Sequence, residues 1–257
     1  MATTEERMAA RIFLRAVLPV IRVLIEEQPA LAKTLAGVDA RVQFVARDPE
    51  GDVGACLVFA EGNFEVEQGV AEKADLIFVF RSVAAMNAMF AGKPALPWIK
   101  GLHRVPLLIK VLRLLLALKI LMPDNRPTDP EKKRLKVKMT FYMITTALSQ
   151  LNKGGDPDMT AWTARQPERI YQITVDEDIA AYLRVKAGKT KAGRGTYAKR
   201  RPFVHMKFNG VDGALPVVLN DVDMISAIKS EYLSVDGPPE YGRDIGDFMM
   251  KIQNLIT

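Results

Sequence analysis

The sequence contains very few of the residues from which disulfide frameworks and metal sites are built. Its 257 residues include one cysteine, Cys56, and two histidines, His103 and His205. A lone cysteine excludes an internal disulfide framework and favours a reducing compartment. The spacing of Cys and His is not typical of a zinc site, and no nucleophile is paired with a base. We therefore expect a non-catalytic protein that has no metal and no other cofactor.

The chain also has no long hydrophobic run that is free of charge. Its most apolar segment, VPLLIKVLRLLLALKILM (105–122), carries Lys110, Arg113 and Lys119. A membrane-spanning helix needs about 20 predominantly apolar residues, so this segment is predicted to be a helix that is buried or that faces something apolar. The N-terminal MATTEERMAAR is mixed in charge, unlike a signal peptide. The predicted location is the cytoplasm, with a peripheral position at a membrane left open.

The overall composition is that of a globular protein. It is 49% hydrophobic and 26% charged, with a formal net charge of +6. These proportions exclude wholesale disorder. The positive charge permits attraction to phosphates, and it does not distinguish nucleic acid from an anionic membrane.

The two halves of the chain follow a similar order of predicted elements. RVQFVARDPEGDVGACLVFAEGN (41–63) parallels IYQITVDEDIAAYLRVKAGK (170–189), each with two strand-like runs around an acidic turn. FEVEQGVAEKADLIFVF (64–80) parallels VHMKFNGVDGALPVVL (204–219), and we interpret both as two strands joined at a glycine turn. The halves thus resemble two copies of one unit.

The segments around these strands extend the parallel. An amphipathic helix precedes the strands in each half, and a helix, a brief strand ending in Gly101 or Gly237 and a final helix follow them. The polar segment at 124–130 contains Pro127 and Pro130 and is typical of a linker. We predict an α+β fold of two tandem units, residues 1–123 and 131–257, each a mostly antiparallel sheet covered by helices.

The segment ADLIFVFRSVAAMNAMFAGKPALPWIKGLHRVPLLIKVLRLLLAL (74–118) resembles the sterol carrier protein type two family, which comprises nonspecific lipid-transfer proteins. Gly92-Lys93, the turn at Gly101 and the helix after Val105 occupy the places where that family has its Gly-Lys, its small turn and its terminal apolar helix. The second half departs from the pattern, since Lys229-Ser-Glu231 replaces the Gly-Lys. The resemblance implies a curved sheet and helices around an apolar tunnel for acyl chains or sterols.

The first half supplies the apolar residues for such a tunnel. Methionine adapts to irregular shapes and is common at promiscuous binding surfaces. For each residue singly, an ordinary packed core remains the alternative. The predicted lipid-lining residues are Phe78, Phe80, Met86, Met89, Phe90, Trp98, Leu108, Val111, Leu112 and Leu115.

A basic segment at 189–201 is the other candidate site. It is predicted to be a long hairpin extension, and the alternatives are a solvated loop and a docking patch for anionic membrane headgroups. Tyr197 is its only aromatic residue, so nucleic acid is not expected as a partner. AGKTKAG (187–193) lacks both the upstream glycine and the following helix of a phosphate-binding loop.

The leading hypothesis is a lipid-binding or lipid-transfer protein that holds a fatty acid, an acyl-CoA or a sterol-like molecule. The alternative is an accessory or scaffold protein of a lipid- or quinone-biosynthesis enzyme complex, in which the apolar helix meets a protein partner. A homodimer is left open. The first unit is the preferred place for the cavity, and binding by the second unit as well is left open.

Overall fold

The computed structural model describes residues 1–257, and the chain divides into two compact units. One unit comprises Met1–Met122 together with Leu255–Thr257, and the other comprises Pro123–Asn254. Each unit contains a five-stranded mixed sheet and several helices, so the predicted α+β class with two units is confirmed.

The helices of the first unit begin at a capping box. The Thr3 hydroxyl accepts a hydrogen bond from the Glu6 amide, and the Glu6 carboxylate accepts one from the Thr3 amide. A π-helical segment at Phe13–Val17 and a 3-10 turn at Leu18–Val20 follow the first helix. A second 3-10 turn, Leu118–Leu121, follows the last helix. The α-helices are α1 (Thr4–Ile12), α2 (Ile21–Glu27), α3 (Pro29–Leu35), α4 (Val83–Phe90) and α5 (Val105–Ala117).

The sheet of the first unit has its first strand at the centre. Its strands are β1 (Ala40–Ala46), β2 (Val53–Ala60), β3 (Asn63–Gln68), β4 (Leu76–Phe80) and β5 (Trp98–Lys100). The spatial order is β3-β2-β1-β4-β5. Strands β1 and β4 run parallel, with Phe44 opposite Phe78, and the other three pairs are antiparallel. Strand β1 has a neighbour on each side, and six of its seven residues are buried.

The second unit repeats this topology. Its helices are α6 (Pro130–Lys153), α7 (Pro157–Ala164), α8 (Gly210–Val218), α9 (Met224–Lys229) and α10 (Pro239–Ile256). Its strands are β6 (Arg169–Thr174), β7 (Ala180–Lys186), β8 (Lys189–Arg194), β9 (Val204–Phe208) and β10 (Leu233–Asp236). The order is β10-β9-β6-β7-β8, with β6 central and parallel to β9. Strands β6 to β10 therefore correspond to β1 to β5.

One buried glutamine shows that the correspondence reaches individual hydrogen bonds. Gln43 Nε2 on β1 donates to Ala55 O and to Gly69 O, each at 3.1 Å. Gln172 Nε2 on β6 donates to Ala181 O at 3.0 Å and to Gly195 O at 3.3 Å. The side-chain oxygens accept from the amides of Ala71 and Tyr197, respectively. In each unit, the glutamine side chain of the central strand thus forms the same hydrogen bonds to the residues that follow the third strand.

The glycines at the end of the fifth strands are a second matched pair. Gly101 has φ +90° and Gly237 has φ +113°, backbone conformations that are strained for any residue with a side chain. A Cβ at Gly101 would collide with the carbonyl oxygen of Asp75, and one at Gly237 with that of Phe203. The fold therefore requires glycine at both predicted turns.

Two predictions about the second unit are wrong. Residues 210–218 form helix α8 and not a strand, because a short apolar run has no periodicity that separates helix from strand. The basic segment is not one long hairpin extension either. Its first part, Lys189–Arg194, is the edge strand β8, which pairs with β7 throughout. The partner of β4 in the repeat is therefore β9, which begins directly after this segment.

Candidate functional site

Helix α5 is apolar on two opposite faces. Its inward face consists of Leu107, Val111 and Leu114, and Leu118 continues this face in the 3-10 turn; all four are buried. This face packs into the unit as the inward face of any amphipathic helix does. It does not explain the residues on the other side.

The outward face of α5 carries a row of exposed aliphatic side chains, which we call the α5 row. Its members lie four, three and four residues apart, a spacing that places them within one narrow arc at about 100° per residue. Their exposed fractions are 52% for Val105, 46% for Ile109, 43% for Leu112 and 59% for Leu116. Leu108 and Leu115, beside the row, are half-buried. The apolar surface of α5 thus continues from its buried face to the solvent.

Aromatic side chains fill the layer between the sheet and the helices of the first unit. The Phe44 and Phe78 rings stack at 4.9 Å between centroids, directly across the parallel β1–β4 pair. Phe90 of α4 lies 5.6 Å from Phe44 and 5.5 Å from Phe13 in the π-helical segment. Met86, one turn before Phe90, has no exposed surface.

The structure divides the predicted lipid-lining residues into three groups. Five are buried in the core: Phe78, Phe80, Met86, Phe90 and Val111. Three are half-buried: Met89, Leu108 and Leu115. Trp98 and Leu112 are exposed, and Trp98 retains 83% of its surface. Of the buried group, Phe78 and Phe90 meet at the Phe44 ring, whereas Trp98 on the edge strand β5 faces solvent.

Sequence reasoning missed several exposed residues near this site. Val105, Ile109 and Leu116 were not among the predicted residues, and neither were Leu96 and Leu102, which are 100% and 56% exposed. The four-three-four spacing of the α5 row is visible in the sequence. A second row on the opposite side of the same helix concealed it, because it made the segment look uniformly apolar.

The chain segment that contains the α5 row has charge of one sign. Between Leu76 and Pro123 the chain has seven Lys or Arg residues and no Asp or Glu. Arg104 forms an ion pair with Asp75, with 2.9 Å between Nη2 and Oδ1. The remaining cations from α4 to the 3-10 turn after α5 have no carboxylate partner: Lys93, Lys100, Lys110, Arg113 and Lys119. The site therefore combines exposed apolar side chains with unneutralised positive charge.

The basic segment of the second unit is partly engaged by its own unit. The Arg194 guanidinium lies 5.0 Å from the centroid of the Tyr142 ring. Arg200 donates to the Glu168 carbonyl oxygen at 3.1 Å. Lys189 and Lys191 are exposed on β8. A role of the basic segment in binding a membrane stays a prediction.

The other reactive side chains lie apart from one another. His103 is exposed before α5. His205 Nε2 is 2.9 Å from Thr174 Oγ1 on the neighbouring strand, and partial burial lowers the pKa of this imidazole. Burial likewise raises the pKa of the Cys56 thiol on β2. No group of three or more His, Cys, Asp or Glu side chains is arranged to hold a metal ion.

Comparison with known proteins gives only distant structural likenesses. No protein-family model matches the chain, and no curated protein matches it. A conserved hypothetical protein of Thermus thermophilus, described as a candidate sterol carrier protein, is similar with a TM-score of 0.31 and 16% identity. That likeness covers 46% of this chain and 90% of the other.

Two further solved structures are those of the inverting sec-alkylsulfatase Pisa1 from Pseudomonas sp. and of a double mutant of a sec-alkylsulfatase of that name. Both are 12% identical to this chain, with TM-scores of 0.26 and 0.27. The chain spans 28% of the length of each. Likenesses at this level carry no argument about function. None of the helices of this protein is long and apolar enough to cross a membrane.

Proposed function

We propose that this is a non-catalytic lipid-binding protein whose first unit takes up a single apolar lipid, a fatty acyl chain or a sterol-like molecule, and transfers it. The observation that carries the proposal is that α5 is apolar on its buried face, on its half-buried flank and on its exposed face. Only the flank that carries Lys110 and Arg113 is polar, and a helix that is apolar over most of its circumference is buried or meets something apolar.

The neighbouring side chains support the same ligand class. Met86 and Met89 share α4 with Phe90 of the aromatic layer, and Leu108 and Leu115 of α5 are half-buried. Methionine has an unbranched, polarisable side chain that repacks around ligands of different shape. An acyl chain would gain affinity from the apolar area that it removes from water, about 25 cal/mol per Å². Recognition would depend on shape more than on a polar headgroup.

The test is direct binding of monomeric lipid in the absence of vesicles. Purified protein is extracted with organic solvent and the extract is analysed by mass spectrometry. The protein is then titrated with a fluorescent fatty acid and a fluorescent sterol. We expect co-purified lipid or saturable binding at one site. Absence of both contradicts the proposal.

A variant locates the site. Met89→Trp adds bulk to a half-buried position next to Phe90 on α4 and is expected to weaken binding by at least about tenfold, since overpacking leaves less room for a ligand. Met250→Trp is the matched control, because Met250 is 51% exposed on α10 of the other unit. Equal effects of the two substitutions would place the ligand elsewhere.

A second candidate function is that of an accessory protein for an enzyme complex. The exposed apolar residues of the first unit favour it, because contiguous exposed apolar surface marks protein interfaces as well as lipid sites. Affinity capture under mild conditions separates the two functions. A stoichiometric enzyme partner, together with protein free of extractable lipid, would support the accessory role.

A further inference from the structure

We propose that the α5 row and the exposed residues that precede α5 dock the protein on the surface of an anionic lipid bilayer. This goes beyond the proposed function, because docking requires no lipid to be held inside the unit. The occupant is the headgroup region of a membrane, with α5 lying in the plane of the interface and its outward side chains entering the upper acyl region.

The geometry of α5 suits an interfacial helix. Its 13 residues extend about 20 Å at 1.5 Å per residue, too short to cross a bilayer but long enough to lie along its surface. All four members of the α5 row point to one side, opposite the buried face. The helix is therefore anchored in the unit on one side and offers an unbroken aliphatic edge on the other.

The segment before α5 adds residues that are typical of membrane interfaces. Leu96, Trp98 and Leu102 are 100%, 83% and 56% exposed, and they precede the α5 row in the chain. Tryptophan is enriched at the headgroup level of membranes because its ring is amphipathic. A tryptophan exposed on a three-residue edge strand makes no contribution to the core that would explain it.

The positive charge of this segment favours a membrane over a protein partner. Basic residues flank the exposed apolar side chains throughout the segment, residues 76–123 contain no acidic residue, and of these cations Arg104 is paired with the preceding Asp75. Lys93, Lys100, Arg113 and Lys119 are exposed and have no carboxylate partner. Anionic headgroups form a continuous negative surface that complements such a distribution, and lysine and arginine near that surface each strengthen binding. Lysine, in contrast, is depleted at protein–protein interfaces.

The decisive experiment measures binding to vesicles. The full chain is sedimented with vesicles of phosphatidylcholine alone and with vesicles that also contain phosphatidylglycerol. We expect binding to the anionic vesicles, weaker binding at high salt because exposed charges are screened, and little binding to the neutral ones. Absence of binding to anionic vesicles overturns the proposal.

Two matched variants test the surface. The double substitution Ile109→Glu with Leu112→Glu places two carboxylates in the middle of the α5 row, and we expect it to lower vesicle affinity by at least about tenfold. Met250→Glu with Asn254→Glu adds the same two charges to the outward face of α10 and should change affinity by less than about twofold. Vesicle binding that is insensitive to the α5 variant overturns the proposal. So does a homodimer that this variant dissolves, because the α5 row would then be an interface between copies.

Tryptophan fluorescence gives an independent readout. Trp98 is exposed, whereas Trp162 is half-buried and donates a hydrogen bond to Asp244 at 2.8 Å. Addition of anionic vesicles should shift the emission to shorter wavelength, and Trp98→Phe should abolish that shift while leaving sedimentation largely intact. A shift that persists in Trp98→Phe contradicts insertion at this face.

The two proposals fail in different ways. Loss of saturable binding to monomeric fatty acid or sterol, with vesicle binding retained, removes the proposed function and leaves the docking surface. Saturable binding of monomeric fatty acid or sterol without any affinity for anionic vesicles removes the docking surface and leaves the proposed function.

Discussion

The last helices of the two units occupy equivalent places in a repeated topology, and their outward faces differ in polarity at three of four positions. On α5 the outward positions are Val105, Ile109, Leu112 and Leu116. On α10 a row with the same four-three-four spacing is also exposed and consists of Arg243, Asp247, Met250 and Asn254. The second row has the polar chemistry expected of a helix that faces water.

The interiors of the units differ far less than these faces. Gln43 and Gln172 make equivalent hydrogen bonds from the central strand, and Gly101 and Gly237 meet the same backbone constraint. The fold therefore constrains the interior of each copy, while it leaves the outward face of the last helix free to vary. Folding of the unit does not require an apolar outward row, since α10 lacks one. The α5 row needs another explanation, and a lipid surface supplies it.

The largest expected effect separates the two faces of α5 itself. Leu114 has no exposed surface and Leu116 is 59% exposed, so the same substitution can be made on each face. Leu114→Ala should lower the free energy of unfolding by about 2–5 kcal/mol, and Leu116→Ala by less than about 0.5 kcal/mol. Urea unfolding followed by circular dichroism measures both. Similar losses would mean that the α5 row is part of the core.

The sequence predicted the α+β class and the duplication because these depend on the order of strands, helices and turns. Strand β1 was recognised from an apolar run followed by an acidic turn, and the turn at Gly101 from its match with Gly237. The error in the second unit concerns residues 210–218, which are predicted to be a strand and form a helix. Ala214 and Leu215 are buried in that helix, and a strand would bury them equally well. Tertiary contacts decide such short apolar runs.

The candidate site was harder to predict than the fold. Phe78 and Phe90 were recognised as apolar neighbours, but their stacking with Phe44 and Phe13 depends on the pairing of β1 with β4 and on the π-helical segment. The exposure of Trp98 depends on β5 being an edge strand, which only the strand order reveals. A sequence specifies which residues are apolar, whereas the three-dimensional arrangement determines which of them remain in contact with water.

A buried lysine distinguishes the interiors of the units and should have a pH-dependent effect. Burial lowers the pKa of Lys136 on α6 to about 8 from its ordinary value of 10.5. At pH 7 the folded protein holds this ammonium ion at a cost, because desolvation disfavours the charged form. Replacement by methionine should therefore raise the free energy of unfolding, by up to about 3 kcal/mol at 1.36 kcal/mol per pKa unit.

The sign of the pH dependence follows from the lowered pKa of Lys136. Below pH 8 the lysine is protonated in both the folded and the unfolded state, so the cost is fully present. Between pH 8 and 10.5 the folded state releases its proton first, and the cost declines. The difference between Lys136→Met and the unmodified protein should thus shrink over this range in urea unfolding. If the difference in free energy of unfolding stayed constant from pH 7 to 10.5, the lowered pKa of Lys136 would be contradicted.

The paired glutamines test how closely the interiors agree. Gln43 is 1% exposed and Gln172 is fully buried, and each side chain satisfies backbone groups at the end of the third strand. Gln43→Leu and Gln172→Leu each leave a partly buried amide and carbonyl without their partner, which should cost about 1–3 kcal/mol. Hydrogen exchange of the strands in each unit measures the two losses separately. Losses that differ by more than about 2 kcal/mol would show that the copies use this network differently.

The smallest expected effect is a gain of vesicle affinity when the exposed row of α10 receives apolar side chains like those of the α5 row. Arg243→Val, Asp247→Ile and Asn254→Leu together give α10 the outward residues of α5, while Met250 is left unchanged. If an apolar outward row is what binds the bilayer, vesicle affinity should rise by about tenfold, equivalent to about 1.4 kcal/mol. The gain should be modest because α10 keeps Glu240 and Asp244 and lacks the uninterrupted basic surroundings of α5. Sedimentation with phosphatidylglycerol vesicles measures it, and the same triple variant carrying Ile109→Glu with Leu112→Glu shows whether α10 can substitute for α5. No gain in either background would mean that the charge around α5, and not its apolar row, governs docking.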